Sequence, residues 1–485
     1  MSVVIRSAIE LPTDVSPLFL SAEIALLKDF QVSEKELNYM EKKRTKETSG
    51  GFFMINRLDQ ILGLLMPDHS DTPFDQMETL RRQGVQVAQQ LKEEGLTKVA
   101  LMDLMDAPDL VLALAEGVAL ASYSFDKYKS DKKEAVDLEI LVVSPGLSGC
   151  QIAAMNRVVE AVFIARDLVN EPVGFLNAER LGQTVLDLSK AYGFTAEVFN
   201  KKKIEALKMG GLLAVNQGSI DPPTFSVMEW KPDNARNAQP IVLVGKGVVY
   251  DTGGINLKTP AGSLDTMKCD MGGAASVIGA MVAVAANEWP IHVIGLVPAT
   301  DNRPGGNAIV PGDIITMHSG TTVEIINTDA EGRLILADAL SFAKRYQPEL
   351  VIDLATLTGN AVVAIGSHGT VGMGTASEEV KAALGQAGDS VCERVVWFPF
   401  WKDYDDEVKS EIADIKNLGS REGGAISAGK FLSKFVEAPW LHLDIAGPAF
   451  LERKAHYRGI GGTGVGVRML ARFMEGIAGS SKGNQ

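Results

Sequence analysis

Cysteine is nearly missing: 485 residues hold three, Cys150, Cys269 and Cys392. An odd, sparse count cannot build a disulfide framework and suits a reducing compartment. Positive charge is in short supply too, with 47 Lys and Arg against 61 Asp and Glu and a formal net charge of −14. A chain this acidic is a poor partner for nucleic acid or for anionic membranes. The N-terminus, MSVVIRSAIELPTD, lacks a basic segment followed by an unbroken apolar core. No secretory signal is expected there, and the expected location is cytoplasmic. Long apolar runs are scarce. Leu354–Ser377 carries no Asp, Glu, Lys or Arg, but Asn360, His368 and many Gly and Thr residues make it too polar to span a membrane. Met271–Asn287 falls just short of the ~18-residue spanning threshold, and its Gly, Ala and Val suit a helix packed closely on a sheet. His-based metal motifs are absent as well: the six histidines are scattered and HExxH does not occur.

What remains is an ordinary globular composition, 46% apolar and 22% charged, which excludes global disorder. Strand and helix patterns alternate along the whole chain. In the first part, Ser2-Val3-Val4-Ile5, Val99–Met102 and Val136–Val143 read as strands, with helices over Met77–Gly95 and Ala107–Tyr123. Ser144–Gly149 (SPGLSG) is strong punctuation and a domain boundary candidate. Later, Asn177 can cap a helix ending near Gly193. Pro240–Val244, Ile291–Val297, Val323–Ile326 and Leu350–Leu354 read as strands separated by helices at 271–287 and 333–346. This order predicts an α/β protein of two domains, each a mostly parallel sheet flanked by helices. The expected division is an N-terminal domain over 1–147, a linker helix over 148–172 and a C-terminal domain over 173–485 that carries the candidate catalytic residues.

Ligands of such sheets bind beyond the carboxyl ends of the strands. Four carboxylates, Asp251, Asp270, Asp329 and Glu331, lie in or near Gly-rich turns at those ends, together with Lys246, Lys258 and Arg333. Carboxylates that converge repel one another unless cations or protons intervene. Oxygen-rich ligation suits Mg, Mn or Zn. Each residue also has a plainer reading: Asp as a turn former, Lys as surface charge, Cys269 as a small buried residue. Gly245-Lys246-Gly247 fits neither the Walker pattern nor GxGxxG. Arg333 sits in the first turn of a helix, where the macrodipole disfavours a cation, and a bound anion or a ring of carboxylates would relieve that mismatch.

The segments VGKGVVYDTGGINLK (244–258), MKCDMGGAA (267–275) and NTDAEGRL (327–334) resemble, in order and spacing, the signatures of the leucyl aminopeptidase family of cytosolic dinuclear-metal exopeptidases. Supporting matches are ARDLVNEP (165–172), DLATLTGN (353–360), GGAISAGKFL (423–432), WLHLDIAGP (440–448) and GGTGVGVRML (461–470), with EGVALASYSFDKYKS (116–130) in the N-terminal part. Two departures are visible. Tyr250-Asp251-Thr252 stands where the family usually reads Phe-Asp-Ser, and Glu171 where it often has Thr.

The resemblance implies a metallo-aminopeptidase that removes N-terminal Leu- or Met-like residues from peptides with a water activated by two divalent ions, Mn or Zn. It implies that Asp251 and Glu331 are shared by the two metals, that Asp329 completes one site, and that Asp270 and the Lys246 amine complete the other. Lys258 would polarise the scissile carbonyl, and Arg333 would hold a bicarbonate acting as base. Met267, Thr356 and Gly359 would line the pocket for the first side chain. A homohexamer is the implied assembly, with peptides as substrates and no nucleic-acid or membrane partner. A narrow dipeptidase acting on substrates such as Cys-Gly, and a regulatory DNA-binding protein that keeps the fold, are the rival readings.

Overall fold

The computed structural model describes residues 3–44, 51–67, 72–131, 137–259 and 264–479. Contacts divide the chain into two units, Met1–Glu160 with Arg453–Gly459, and Ala161–Glu452 with Ile460–Gln485. The division falls inside a helix, Gly149–Asn170, that covers most of the expected linker.

The first unit holds a six-stranded sheet in the order Val3–Ser7, Leu138–Val143, Lys98–Asp103, Ser16–Leu20, Ile61–Leu65, Phe52–Asn56. Every neighbouring pair is parallel except the last. Ser16–Leu20 and Ile61–Leu65 are buried along their whole length, as strands covered on both faces must be. The helices Pro73–Glu93 and Pro108–Ala121 each open on proline, whose missing N–H costs nothing in a first turn. Ser2 and Val136, the ends of two expected strands, lie outside the described residues.

The second unit is built on a larger mixed sheet. Its path runs Val395–Trp397, Thr370–Gly374, Trp440–Asp444, Leu350–Ala355, Ile241–Gly245, Val293–Asn302, Thr224–Trp230, Thr195–Phe199, with Gly247–Asp251 paired beside Val293–Asn302. The central four strands are mutually parallel, and antiparallel pairs lie toward the edges. Ile241–Gly245, Val293–Asn302 and Leu350–Ala355 are wholly buried, which is why they read as unbroken apolar runs. The Gly272–Ala286 helix, from Gly272 through Ala285, is buried on all sides. Its small residues permit that depth: a Cβ on Gly273 would lie 2.2 Å from the Leu354 carbonyl oxygen. The 23-residue stretch Leu264–Ala286, apolar enough to cross a membrane, is therefore an interior element, with 89% of its apolar window buried.

One expected strand sits elsewhere. Thr322–Glu324 belongs to a separate three-stranded sheet, antiparallel to Ile314–Thr316 and parallel to Ile415–Lys416. The physical reason is visible in its burial: Val323 and Ile325 are fully buried while Ile326 is 38% exposed. Alternation of this kind covers one face only, and a central strand needs both. NTDAEGRL therefore does not follow a strand of the main sheet; the Gly332–Ala343 helix carries it to the site.

Candidate metal and active site

Lys246 bridges the end of Ile241–Gly245 and the start of Gly247–Asp251, and its backbone is fixed on both sides. Its N–H donates to Leu354 O (3.1 Å) and its carbonyl accepts from Ala274 N (2.8 Å). The side chain is 3% exposed. Its Nζ lies 2.8 Å from Asp270, 2.9 Å from Glu331 Oε1 and 2.9 Å from the Thr356 carbonyl oxygen. Gly332 makes room for it, because a Cβ there would fall 2.5 Å from Lys246 Cε.

Asp251 closes the Gly247–Asp251 strand. Its Oδ1 accepts from Gly253 N and Asn302 Nδ2, both at 2.8 Å, and its Oδ2 pairs with Lys258 Nζ at 2.8 Å. Lys258 also reaches Asp329 Oδ1 at 2.5 Å. Asp329 is the outermost of the four acids, with its side chain 33% exposed. One oxygen from each of Asp251, Asp329 and Glu331 lies within 4.8 Å of the others. The other Glu331 oxygen, Oε2, is buried with no hydrogen-bond partner among the described residues.

Charge bookkeeping explains the titration. Two ammonium groups face four carboxylates, and like charges ~4 Å apart repel by about 4 kcal/mol at an effective dielectric near 20. Burial is the largest influence on each group. It raises Asp329, to about 6, with Asp251 and Glu331 adding to the shift and Lys258 opposing it. Burial likewise raises Asp270 well above the usual carboxylate range, with Lys246 opposing. For Lys246 and Lys258 burial alone would lower the pKa, but the surrounding carboxylates win and hold both ammonium groups charged. The excess negative charge and the orphaned Glu331 oxygen are what divalent cations neutralise, so the donor set fits the metals implied by the resemblance.

Arg333 lies beside this cluster with its guanidinium buried. Nη1 donates to the Asn417 carbonyl oxygen (2.8 Å), while Nε is buried and without a partner among the described residues. Burial draws its pKa down to about 10, against the pull of Glu331 and Asp444. Asn417 itself clamps the motif turn: its Oδ1 accepts from Ile326 N (2.8 Å) and its Nδ2 donates to Asn327 O (2.8 Å).

Thr356 does more than the expected pocket role. Its hydroxyl donates to Asp270 Oδ1 (2.8 Å), and its carbonyl receives Lys246. Gly359 opens the Gly359–Ile365 helix at the surface, and a Cβ there would meet only open space. Met267 is half-buried on Leu264–Met271, the segment that delivers Asp270. Burial pushes the neighbouring Cys269 thiol up to about 12, which removes it as a nucleophile. The departure at Tyr250 has a local use: its hydroxyl donates to Leu264 O (2.8 Å), a bond phenylalanine lacks. Thr252 Oγ1 donates to Asn302 O (2.7 Å). Asn302 and Asn417, both uncharged, escaped the sequence analysis. Asn302 had a usable signal, since it ends the Val293–Asn302 strand on the ligand-binding side of the sheet.

The "Cytosol aminopeptidase family, catalytic domain" model matches residues 163–471, and the model of that family's N-terminal domain matches 75–132. A probable cytosol aminopeptidase of Clostridium perfringens is 41% identical over 451 residues, 90% of this chain and 91% of the relative. One from Chlorobium limicola is 46% identical over 379 residues, 75% of this chain and 74% of the relative. Among solved structures, a mutant of tomato leucine aminopeptidase superposes with a TM-score of 0.85 at 26% identity, covering 98% of this chain and 96% of that one. A bottromycin maturation enzyme in complex with Mn gives 0.83 at 30% identity, covering 96% and 100%.

Proposed function

The chain belongs to the cytosol aminopeptidase family, and on that premise we propose how its charged residues divide the work of a metal-dependent aminopeptidase. Lys246, Asp251, Asp270, Asp329 and Glu331 hold two divalent ions, Mn or Zn. The observation that carries this reading is the convergence of Asp251, Asp329 and Glu331 oxygens within 4.8 Å, beside a buried Glu331 oxygen with no other partner. When bound, the ions supply Lewis-acid charge that acidifies a water into a nucleophile at neutral pH.

The chain's own groups do the rest. Lys246 could serve as a ligand only as a neutral amine, so it would give up a proton to solvent and ion affinity would rise with pH. Lys258, more exposed than Lys246 and charged, faces the scissile carbonyl and stabilises the oxyanion that develops there. Arg333, whose Nε has no partner among the described residues, would hold a bicarbonate, which would supply a general base beside the site. Met267, Thr356 and Gly359 shape a pocket for Leu- or Met-like first residues, with broad preference, since one methylene is worth only ~1–3 kcal/mol. The enzyme works in the cytoplasm as a homohexamer, with the 1–147 domain serving assembly or access.

The test is a panel of aminoacyl p-nitroanilides assayed after chelation and dialysis, with Mn or Zn added back. Activity should vanish on chelation, return with metal and favour Leu and Met. Full turnover by a rigorously metal-free sample would overturn the reading.

A further inference from the structure

Asp444 ends the Trp440–Asp444 strand at 1% exposure and has no part in the chemistry described above. Its oxygens are spent almost entirely on one turn. Oδ1 accepts from Leu357 N (3.1 Å) and Ala446 N (3.1 Å), and Oδ2 accepts from Thr358 Oγ1 (2.7 Å). Thr358 then caps the Gly359–Ile365 helix, accepting from Ala361 N (3.1 Å). The turn's other end faces the metal ligands: Thr356 gives its carbonyl to Lys246 and its hydroxyl to Asp270. Four consecutive residues thus carry two ligand contacts, an open glycine edge and a buried carboxylate anchor.

The anchor is a buried acid whose neighbours offset part of the cost of its charge. Burial raises the Asp444 carboxyl, while His442 and its three hydrogen-bond donors oppose the rise. His442 is in turn fixed by Asp353, whose oxygens take His442 Nδ1 and Trp440 Nε1, both at 2.6 Å. Asp353, His442 and Trp440 are all fully buried. Burying a carboxylate merely to fold a turn is wasteful when a neutral Asn or Ser can do it. One carboxyl takes three donors, two of them from the turn, and such bonds are about twice as strong where the acceptor is ionised, so the acid adds stiffness.

We propose that Asp444 is a positioning residue: by gripping Leu357 and Thr358 it fixes the 356–359 turn, so that placement of Lys246 and Asp270 and the shape of the first-residue pocket are set by one buried carboxylate. The inference rests on the metallopeptidase reading above. Thr358→Val tests it with little change of volume, deleting the hydroxyl and leaving Asp444 in place. The full chain, stripped of metal, is titrated with Mn by calorimetry, and kcat and KM are measured for Leu and Ala p-nitroanilides.

Groups that orient metal ligands typically contribute ~10–100-fold, so Thr358→Val should lose ~10-fold in Mn affinity and in kcat/KM. Its preference for Leu over Ala should narrow as well. Thr358→Ser, which restores the hydroxyl, should recover both properties, and Asp444→Asn, which keeps an acceptor for the two N–H groups, should fall between. A Thr358→Val enzyme with the parent's Mn affinity and Leu preference, whatever its melting temperature, refutes the positioning role alone. A parent chain that binds neither Mn nor Zn refutes the metallopeptidase reading, and the inference falls with it.

Discussion

At Gly332 two physical effects disagree in sign, and Gly332→Ala decides between them. Replacing a helical glycine by alanine ordinarily stabilises by up to ~1 kcal/mol. Here the new Cβ would lie 2.5 Å from Lys246 Cε, 2.6 Å from Nζ and 2.8 Å from Cδ. A free lysine would swing aside. Lys246 is held at Nζ by Asp270, Glu331 and the Thr356 carbonyl at 2.8–2.9 Å. Moving it by about an ångström breaks at least one charge-assisted bond, worth ~1.5–3 kcal/mol, on top of ~1–3 kcal/mol of overpacking. With the helix gain subtracted, the metal-free protein should lose about 1.5–5 kcal/mol, read as a lower urea midpoint at unchanged slope. In a Lys246→Ala background the clash is gone, and the same substitution should be neutral or stabilising. A single Gly332→Ala variant as stable as the parent would show that Lys246 is not held as described.

Three further outcomes are expected. Lys258→Ala should depress kcat by ~10²–10³-fold while two metals per chain remain by elemental analysis, since oxyanion support acts in the transition state. Arg333→Ala should abolish the rate gain that bicarbonate gives the parent in carbonate-depleted buffer; equal activation of both would place the anion elsewhere. The third concerns pH. Asp329, held near 6 by burial and by its acidic neighbours, keeps a proton in the folded metal-free chain that the unfolded chain has released above 3.8. The sign follows: this group's contribution to stability falls as pH rises from about 4 to about 6, and Mn affinity rises over the same window, where the metal displaces that proton. Calorimetric Mn affinity that is flat between about pH 5 and pH 7 would contradict the shift.

The parts of the fold most legible in the sequence are those whose environment is uniform. Ile241–Gly245 and Leu350–Ala355 are buried on both faces, so their strings of Ile, Val and Leu announce them. The helix from Ala178 carries its own boundary marks: Asn177 accepts from Arg180 N (3.0 Å), and Gly193 takes the left-handed conformation at φ +83°. The charged residues of the site stood out as a group, because four acids and three basic residues gather in or near Gly-rich turns at strand ends, although each alone had a plainer reading. Less legible were elements defined by partners far along the chain. Val323–Ile326 looked like a main-sheet strand because a four-residue pattern does not say which sheet will take it. Asn302 and Asn417 act on Asp251 and on the motif turn from 51 and 91 residues away, and an asparagine carries no charge to betray such a role. Thr356 was expected only to line the first-residue pocket, and its hydroxyl and carbonyl hold Asp270 and Lys246.

The strand order also bears on how the enzyme is made. Trp440–Asp444 is inserted between Leu350–Ala355 and Thr370–Gly374, yet it is the last long strand of the main sheet to be synthesised. While the nascent chain grows, Leu350–Ala355 therefore waits with one edge open for the roughly 90 residues that separate it from its partner, about 5–20 s at ordinary elongation rates. An open apolar edge invites foreign strands, so this interval is the aggregation-prone moment of biogenesis. It also means that Asp444 reaches the 356–359 turn only after the 87 residues that separate it from Leu357 have been made. A chain that stops before Trp440 thus holds Asp251, Asp270, Asp329 and Glu331 but lacks the strand whose Asp444 bonds to the turn.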